Sequence, residues 1–444
     1  MRRATAALGL GTVLLLPGCV TSRTTGGRAP TRRQQAQLLL EKEPAQAIPL
    51  VERLAAESPA DLDVARLRAE AWVRAGRADE LIASTPGGSA VAHYTRGLAL
   101  FSRARDARPA LEEFRAAVAL APQEAELHHR LGVALLESEQ DAEALAPLER
   151  AVALFPAHTG WFLPLAKAYH RNGRPRDAVK ALRLVVEQAP SPREVKTARE
   201  LSALIHHPLQ GVPRSAVPRL EQALQWLNAS DAPQQAIVAL EELLLEFPDL
   251  GAAHALLGLA FQRLDDAGRA VDEFRRAADL SPEDARPHQY LAILWQGRQR
   301  DPSAREALER ALERDPLLDD AWMRLGDLSL SRGDTATAHR CFQVLSHLQH
   351  DSPGSHSRLA LVLQLEGDFA AAGTALDRAL ELSPDNPDLQ LRMGQLFAER
   401  SRGARNSQER AAHRAEAERW INKVLEAQPD NAGAAQAIEA LRAP

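Results

Sequence analysis

The sequence predicts an all-α protein in which helix-turn-helix units stack into an α-solenoid. Proline returns every 34 residues in two series, which is a repeat period of helical arrays and not of enzyme cores. The first series is Pro122, Pro156 and Pro190, and the second is Pro248, Pro282, Pro316 and, after His350, Pro384. Small and apolar residues return in phase with the prolines, at helical spacing.

The unit that ends at Pro282 shows how each repeat is built. His254, Leu257, Gly258 and Phe261 predict a first helix, and the second helix is predicted by Ala270, Phe274 and Ala277. Glycine within a helix costs roughly 1 kcal/mol relative to alanine, so Gly258 indicates a close approach of two helices. Pro282 predicts the end of the second helix, because the residue before proline is driven out of the α region.

Turn and cap residues follow the same period. Gly173, Gly333 and Gly367 predict the turn inside their units, and Asn386 predicts a helix cap. Two stretches depart from the period. They are an irregular segment around 206–213 and about eleven extra residues around Arg402 to His413, which lengthen a helix or form a loop. A closing helix is predicted at 432–442. Poorer copies are predicted at 34–59 and at 62–86, the latter with a short second helix.

These motifs resemble the tetratricopeptide repeat. The first-helix motif is matched by Trp322-Leu325-Gly326 and Phe162-Leu165-Ala166-Tyr169. The second-helix motif is matched by Ala144-Leu148-Ala151-Pro156, Ala178-Leu182-Val185-Pro190, Ala270-Phe274-Ala277-Pro282 and Ala372-Leu376-Ala379-Pro384. The resemblance implies a right-handed superhelix whose first helices line a concave groove for an extended peptide or a partner helix.

The start of the chain resembles a bacterial lipoprotein signal. Arg2 and Arg3 precede an apolar stretch that is too short for a membrane span and that runs into Cys19. The resemblance implies lipid attachment at Cys19, with ordinary secretion or an uncleaved anchor as alternatives. Val20, in place of aspartate, implies the outer membrane, facing the periplasm.

The predicted organisation has five parts. They are a signal peptide (1–18), a flexible tether rich in Thr, Arg and Gly (19–33), an N-terminal array (34–205), a linker (206–218) and a C-terminal array with its closing helix (219–444).

Charge and motifs argue against nucleic-acid binding and catalysis. Without residues 1–18 the chain has 52 basic and 59 acidic residues, a net charge of −7, which disfavours a phosphate backbone. The phosphate-binding Gly-Lys-Ser/Thr loop, the His-Glu-x-x-His zinc helix and the Gly-x-Ser-x-Gly nucleophile turn do not occur. His339, His347, His350 and His356 lie near Cys341, but too few of them converge for a zinc site. We therefore expect no enzyme activity, cofactor or metal, and a buried, unreactive Cys341.

The candidate site is the groove predicted on the C-terminal first helices. Arg324, Arg358 and Arg392 occupy one place in three successive repeats, and guanidinium groups suit carboxylates. Intrahelical pairing with Asp320, Asp327 and Asp388 is the competing interpretation. The predicted groove residues are Gln289, Tyr290, Gln296, Arg324, Asp327, Arg358, Gln364, Arg392 and Gln395.

The Lys and Asn clamp of chaperone-binding relatives is absent from this groove. Leu259, Ile293 and Leu361 stand in its place, which indicates either tighter repeat packing or a groove for an amphipathic segment.

Two functions fit the sequence. The first is a lipid-anchored scaffold or assembly factor of the bacterial cell envelope, of the pilus, secretin or polysaccharide-export type. The second is a periplasmic chaperone-like or enzyme-accessory subunit that binds unfolded or acidic segments. Both imply protein or peptide partners and membrane contact through the lipid.

Overall fold

The structure, a computed structural model, describes residues 31–103, 107–207, 211–228 and 232–442. These residues form 24 α-helices and one 3-10 turn, with no strand among them, so the predicted all-α solenoid fold is confirmed. The predicted signal peptide and Cys19 lie outside the described residues, as does most of the tether. None of the helices described is both long enough and apolar enough to cross a membrane.

The described residues up to Arg174 form one compact unit, called unit 1. Its helices are α1 (Arg32–Lys42), α2 (Pro44–Glu57), α3 (Leu62–Arg74), α4 (Ala78–Ser84), α5 (Ala90–Arg103), α6 (Arg108–Leu120), α7 (Ala125–Glu137), α8 (Asp141–Leu154) and α9 (Phe162–Arg171), with the 3-10 turn Thr159–Trp161 before α9. The predicted poor copy at 34–59 is the pair α1 and α2, and the predicted short second helix is α4.

Residues from Pro175 onward form the second compact unit, called unit 2. Its helices are α10 (Pro175–Glu187), α11 (Pro192–Ile205), α12 (Val217–Asn228), α13 (Pro233–Glu246), α14 (Gly251–Arg263), α15 (Ala267–Leu280), α16 (Arg286–Gly297), α17 (Asp301–Arg314), α18 (Asp319–Ser331), α19 (Thr335–Leu348), α20 (Pro353–Leu365), α21 (Phe369–Leu382), α22 (Pro387–Arg402), α23 (Ser407–Ala427) and α24 (Ala432–Arg442).

Helix ends follow the proline period. The second helices α8, α13, α15, α17 and α21 each end two residues before the repeat proline. At the start of α22 the Asn386 side chain accepts hydrogen bonds from the backbone N–H groups of Asp388 and Leu389, at 3.0 and 3.3 Å. The predicted cap at Asn386 is therefore confirmed. The extra residues near 402–413 lengthen both α22 and α23, which have 16 and 21 residues, and α24 is the predicted closing helix.

Turns inside the repeats use a left-handed backbone. Gly173, Gly333 and Gly367 have φ angles of 69°, 76° and 81°, which confirms the turns predicted there. The equivalent positions without glycine have the same conformation. They are Glu139, Asp265 and Gln299, with φ angles of 60°, 57° and 54°. The repeat geometry therefore imposes this turn even where the side chain disfavours it.

Glycines inside the first helices mark close helix crossings. A methyl group added at Gly97 or Gly326 would lie 2.6 or 2.5 Å from the ring of Phe114 or Phe342 on the paired second helix. One added at Gly258 would overlap the ring of Phe274 in the same way. Real side chains do not approach so closely, so the close helix approach predicted at Gly258 is confirmed, and Gly97 and Gly326 are packing positions of the same kind.

Helices α10 and α11 pack against distant helices of unit 2. Arg183 donates to the carbonyl of Leu312 at 2.6 Å, and Arg199 donates to both carboxylate oxygens of Asp319 at 2.9 Å and to the carbonyl of Leu348 at 3.1 Å. The sequence placed α10 and α11 in an N-terminal array that ends at residue 205. In the structure the compact units divide at Arg174 instead, because α10 and α11 contact α17, α18 and α19.

Candidate functional site

The candidate site is a face formed by first helices of unit 2. Side chains join successive first helices directly, Gln296 of α16 with Arg324 of α18, Asp327 of α18 with Arg358 of α20, and Gln364 of α20 with Glu399 of α22. The predicted groove residues lie on α16, α18, α20 and α22. We call the face that they form the first-helix wall.

Arg324 is the centre of a polar network on the wall. Its Nε donates to Asp320 one turn earlier on α18 at 2.7 Å, and its Nη1 donates to Gln296 on α16 at 2.9 Å. Gln289 also donates to Asp320, at 3.5 Å. The structure therefore brings Gln289, Gln296 and Arg324 together, and intrahelical pairing describes Arg324.

The hydrogen bonds of Arg358 and Arg392 are longer than those of Arg324. Arg358 donates through Nε to Asp327 on the preceding first helix at 3.4 Å, which is an inter-repeat contact and not the intrahelical pair proposed as the alternative. Arg392 donates to the carbonyl of Ser357 at 3.5 Å. Both contacts are at the long limit of a hydrogen bond, and the Arg358 side chain is 39% exposed. The guanidinium groups of Arg358 and Arg392 therefore make weaker hydrogen bonds within the protein than the guanidinium group of Arg324 does.

The remaining predicted groove residues differ in their surroundings. Gln364 donates to Glu399 on the next first helix at 2.6 Å, and Gln395 is exposed. The ring of Tyr290 packs on Phe274 of α15 at 5.4 Å between centroids, and burial raises the pKa of its hydroxyl. Tyr290 therefore contributes to packing between repeats as well as to the wall.

Leu259, Ile293 and Leu361, which replace the clamp residues, are half-buried. Partial burial is compatible with both interpretations of these residues, packing between repeats and contact with an apolar ligand face.

Unit 1 contains a polar network that the sequence analysis missed. Tyr94 on α5 donates its hydroxyl proton to Glu126 on α7 at 2.7 Å, and Arg130 donates to the same oxygen at 2.7 Å. Burial alone would raise the pKa of Glu126, but attraction to Arg130 and the hydrogen bonds from Tyr94 and Arg130 outweigh it and lower the pKa to about 2. Glu126 is therefore a carboxylate at neutral pH.

His129 lies beside this network in an aromatic stack. Its ring stacks on Trp161 at 5.0 Å between centroids, and Trp161 stacks on His158 at 4.6 Å. Burial lowers the pKa of His129 to about 3, so the ring is neutral, and its buried Nδ1 atom has no hydrogen-bond partner among the described residues. Burial of this nitrogen without a hydrogen bond lowers the stability of the folded chain.

A sequence signal for the unit 1 network does exist. Glu126 and Arg130 precede Gly132 by six and two residues, and Asp320 and Arg324 precede Gly326 by the same intervals. Comparison of the repeats before Pro190 with those after Pro248 reveals this shared spacing.

Among the other residues that the structure describes, few side chains are placed for catalysis or metal binding. The thiol of Cys341 is buried, which raises its pKa to about 12, as expected of a packing residue. His339 pairs with Glu366 at 2.7 Å, and His347 donates to the carbonyl of Val186 at 3.1 Å. Within the described part of the chain, no three His, Cys, Asp or Glu residues are grouped to hold a metal ion.

Comparison with known proteins finds matches to parts of the chain. Models of the tetratricopeptide repeat match residues 90–159 and 297–339, 135–201 and 354–386. PEX5-related protein from Homo sapiens is 26% identical over 178 residues, which are 38% of this chain and 25% of that protein. Tetratricopeptide repeat protein 5 from Bos taurus is 35% identical over 74 residues, 13% of this chain and 17% of that protein. The chain thus spans a quarter or less of the length of these relatives.

Two solved structures match parts of this chain. YrrB, described as a TPR protein with an unusual peptide-binding site, has 17% identity and a TM-score of 0.40, with 45% of this chain and 98% of that chain covered. PilF from Pseudomonas aeruginosa has 21% identity and a TM-score of 0.38, with 50% and 96% covered. The repeat models match stretches in both units, which together are residues 90–201, 297–339 and 354–386, and in these stretches the helix pairs are of the tetratricopeptide type.

Proposed function

We propose that this protein is a lipid-anchored protein–protein interaction scaffold of the bacterial cell envelope, of the type that assembles pili, secretins or polysaccharide exporters. The carrying observation is the first-helix wall, on which four successive first helices present half-exposed arginine and glutamine side chains. A partner segment laid along the wall would meet these groups in turn.

The chemistry of the wall favours a polar or acidic partner segment. Arginine offers five N–H donors in a planar fork that fits a carboxylate, and glutamine can both donate to and accept from a peptide backbone. Exposed pairs such as Arg358 with Asp327 are worth at most about 1 kcal/mol, so a ligand can compete for them.

Site-specific crosslinking tests the wall as the binding surface. A photoreactive amino acid at Gln296 or Gln395 should crosslink envelope proteins in cells, and mass spectrometry would identify them. Arg310 is the matched control, because its half-exposed side chain pairs within α17, at 2.7 Å from Glu306, on a second helix. Equal crosslinking from Arg310 and from the wall would contradict the proposal, as would no partner at either wall position.

A charge reversal separates recognition from folding. Arg358→Glu should leave the melting temperature nearly unchanged, because the Arg358 side chain is half-exposed and its single hydrogen bond is long. It should weaken capture of an acidic partner several-fold, since one donor group becomes a repelling carboxylate. Unchanged capture by the folded variant would remove the arginine row from the site.

The lipid anchor rests on the sequence around Cys19 and has its own test. Cys19→Ser should move the protein from the membrane fraction to the soluble fraction and abolish incorporation of labelled fatty acid. Separation of inner and outer membranes would then locate the wild-type protein, which we propose faces the periplasm from the outer membrane. A wild-type protein that takes up no fatty acid would refute the anchor while leaving the wall intact.

A further inference from the structure

Arginine at the wall position is usually preceded by an acidic residue one helical turn earlier. The four arginines at this repeat position are Arg130, Arg324, Arg358 and Arg392, and the residues four positions before them are Glu126, Asp320, Gly354 and Asp388. In α7 and α18 that acid accepts a hydrogen bond from its arginine at 2.7 Å. Only the repeat of Arg358 has glycine there.

Gly354 leaves room beside the Arg358 guanidinium. An added Cβ at Gly354 would lie 3.6 Å from Nη1 of Arg358 and 3.7 Å from Oγ of Ser352, both ordinary contact distances, and would meet no other described atom within 4 Å. The glycine has no turn to make, since it lies inside α20. The space that the Asp320 side chain occupies one repeat earlier is therefore open next to Nη1.

The donors of Arg358 are also largely unused. Among the described residues its only hydrogen bond runs from Nε to Asp327 at 3.4 Å. Both terminal nitrogens remain available, and together they match the two oxygens of a carboxylate. By contrast, Arg324 uses Nε and Nη1 on Asp320 and Gln296.

We propose that Arg358 and the space beside Gly354 form a subsite for an acidic side chain, aspartate or glutamate, of a bound peptide segment. The ligand carboxylate takes the place that Asp320 fills for Arg324 in the preceding repeat. This inference rests on the proposed function, because it names the chemistry of the segment that the first-helix wall binds.

The test uses the substitution Gly354→Asp, which places a carboxylate of the protein itself in the proposed subsite. A fluorescein-labelled peptide of alternating Glu and Ala serves as the probe, with Gln in place of Glu as its control, and fluorescence anisotropy of the full chain gives the dissociation constants. We expect the Glu peptide to bind more tightly than the Gln peptide.

Gly354→Asp should weaken Glu-peptide binding about three- to tenfold, because the new aspartate pairs with Arg358. The isosteric, uncharged Gly354→Asn should change it less than about twofold.

Stability measurements keep the test free of folding effects. Aspartate in the first turn of α20 is favourable to the helix and avoids steric conflict, so Gly354→Asp should unfold no earlier than wild type. Arg358→Gln should reproduce the loss of Glu-peptide binding. Equal affinity of wild type and Gly354→Asp for the Glu peptide would overturn the subsite, as would equal affinity of wild type for the two peptides.

The two proposals can fail separately. If crosslinks form at Gln296 and Gln395 but the Glu peptide has no advantage, the wall is a binding surface and the acidic subsite is wrong. If the Glu peptide depends on Gly354 and Arg358 while no cellular partner crosslinks to the wall, the subsite holds and the scaffold function is wrong.

Discussion

At the residue scale, the same pair of charges is used differently in the two units. Arg130 and Glu126 are largely covered, with side-chain exposures of 16% and 22%, and Tyr94 completes their hydrogen bonding. Arg324 and Asp320 are 34% and 36% exposed. Removing one member of a covered pair leaves a poorly solvated charge, whereas a half-exposed pair exchanges partners at little cost. The unit 1 network therefore serves the fold, and the unit 2 wall is the better candidate for recognition.

Neutral His129 should make the stability of unit 1 depend on pH. Its pKa in the folded chain, about 3, lies below the ordinary value of 6.5, mainly because the ring is buried. The unfolded chain takes up a proton as the pH falls below about 6.5 and the folded chain does not, so stability is lost in that window. His129→Phe keeps the stack on Trp161 and removes the titration. We expect urea unfolding to show a gain over wild type that is larger at pH 5 than at pH 7, by up to about 2 kcal/mol.

A neighbouring histidine provides the control for this experiment. His128 is half-buried, donates to the carbonyl of Pro122 at 3.0 Å and lies outside the stack on Trp161, so His128→Gln should not reproduce the gain in stability of His129→Phe at pH 5. Parallel stability curves for wild type and His129→Phe between pH 7 and pH 5 would show that His129 is not the group responsible.

At the element scale, several helix pairs are held by a bulky residue of the second helix that packs on a glycine of the first. Phe114 on Gly97, Phe274 on Gly258 and Phe342 on Gly326 are three such contacts, and these phenylalanines are at most 1% exposed. The crossing distance is thus set by the missing side chain, and any substituent at the glycine must push two helices apart.

Gly258→Leu should therefore destabilise its helix pair by roughly 1–3 kcal/mol, through overpacking against Phe274. The midpoint of thermal or urea unfolding measures the effect. Gly268→Leu on α15 is the matched control, because a Cβ at Gly268 meets only the Asp266 carboxylate, at 3.7 Å. Equal midpoints for the two variants would mean that Gly258 is not a packing position.

The repeat elements could be predicted from the sequence because packing and chain breaks recur at fixed places. Gly258 predicted a close helix crossing and Pro282 predicted the end of a helix, and the structure confirms both predictions. The left-handed turn at Gln299 has no such marker, because the repeat geometry imposes its φ of 54° on a non-glycine residue, for which this conformation is energetically unfavourable. The predicted groove residues lie on the first helices, but the pairing that distinguishes Arg324 from Arg358 depends on distances that a sequence does not contain.

At the scale of the whole molecule, the period describes contacts between neighbouring repeats and nothing further along the chain. The packing of α10 and α11 on α17–α19 joins residues more than a hundred positions apart, for example Arg199 with Asp319 and Arg340 with Glu187, at 2.9 and 2.5 Å. No motif marks such contacts, because ordinary surface charges make them. In a repeat array, stability is otherwise a sum over neighbours, so these bonds tie α10 and α11 to repeats that they would not meet by stacking.

Arg199→Ala should loosen this attachment without disturbing the array. The substitution removes the bonds to Asp319 and to the carbonyl of Leu348, worth about 1 kcal/mol at a partly exposed site, so amide hydrogen exchange in α10 and α11 should accelerate about fivefold. Exchange in α20–α23 should stay as in wild type, because nearest-neighbour stacking there is intact. Arg310→Ala, which removes only a pair within α17, is the control and should leave α10 and α11 unchanged. If Arg199→Ala left exchange in α10 and α11 unaltered, or accelerated it equally throughout unit 2, these long-range bonds would not be what holds the two helices in place.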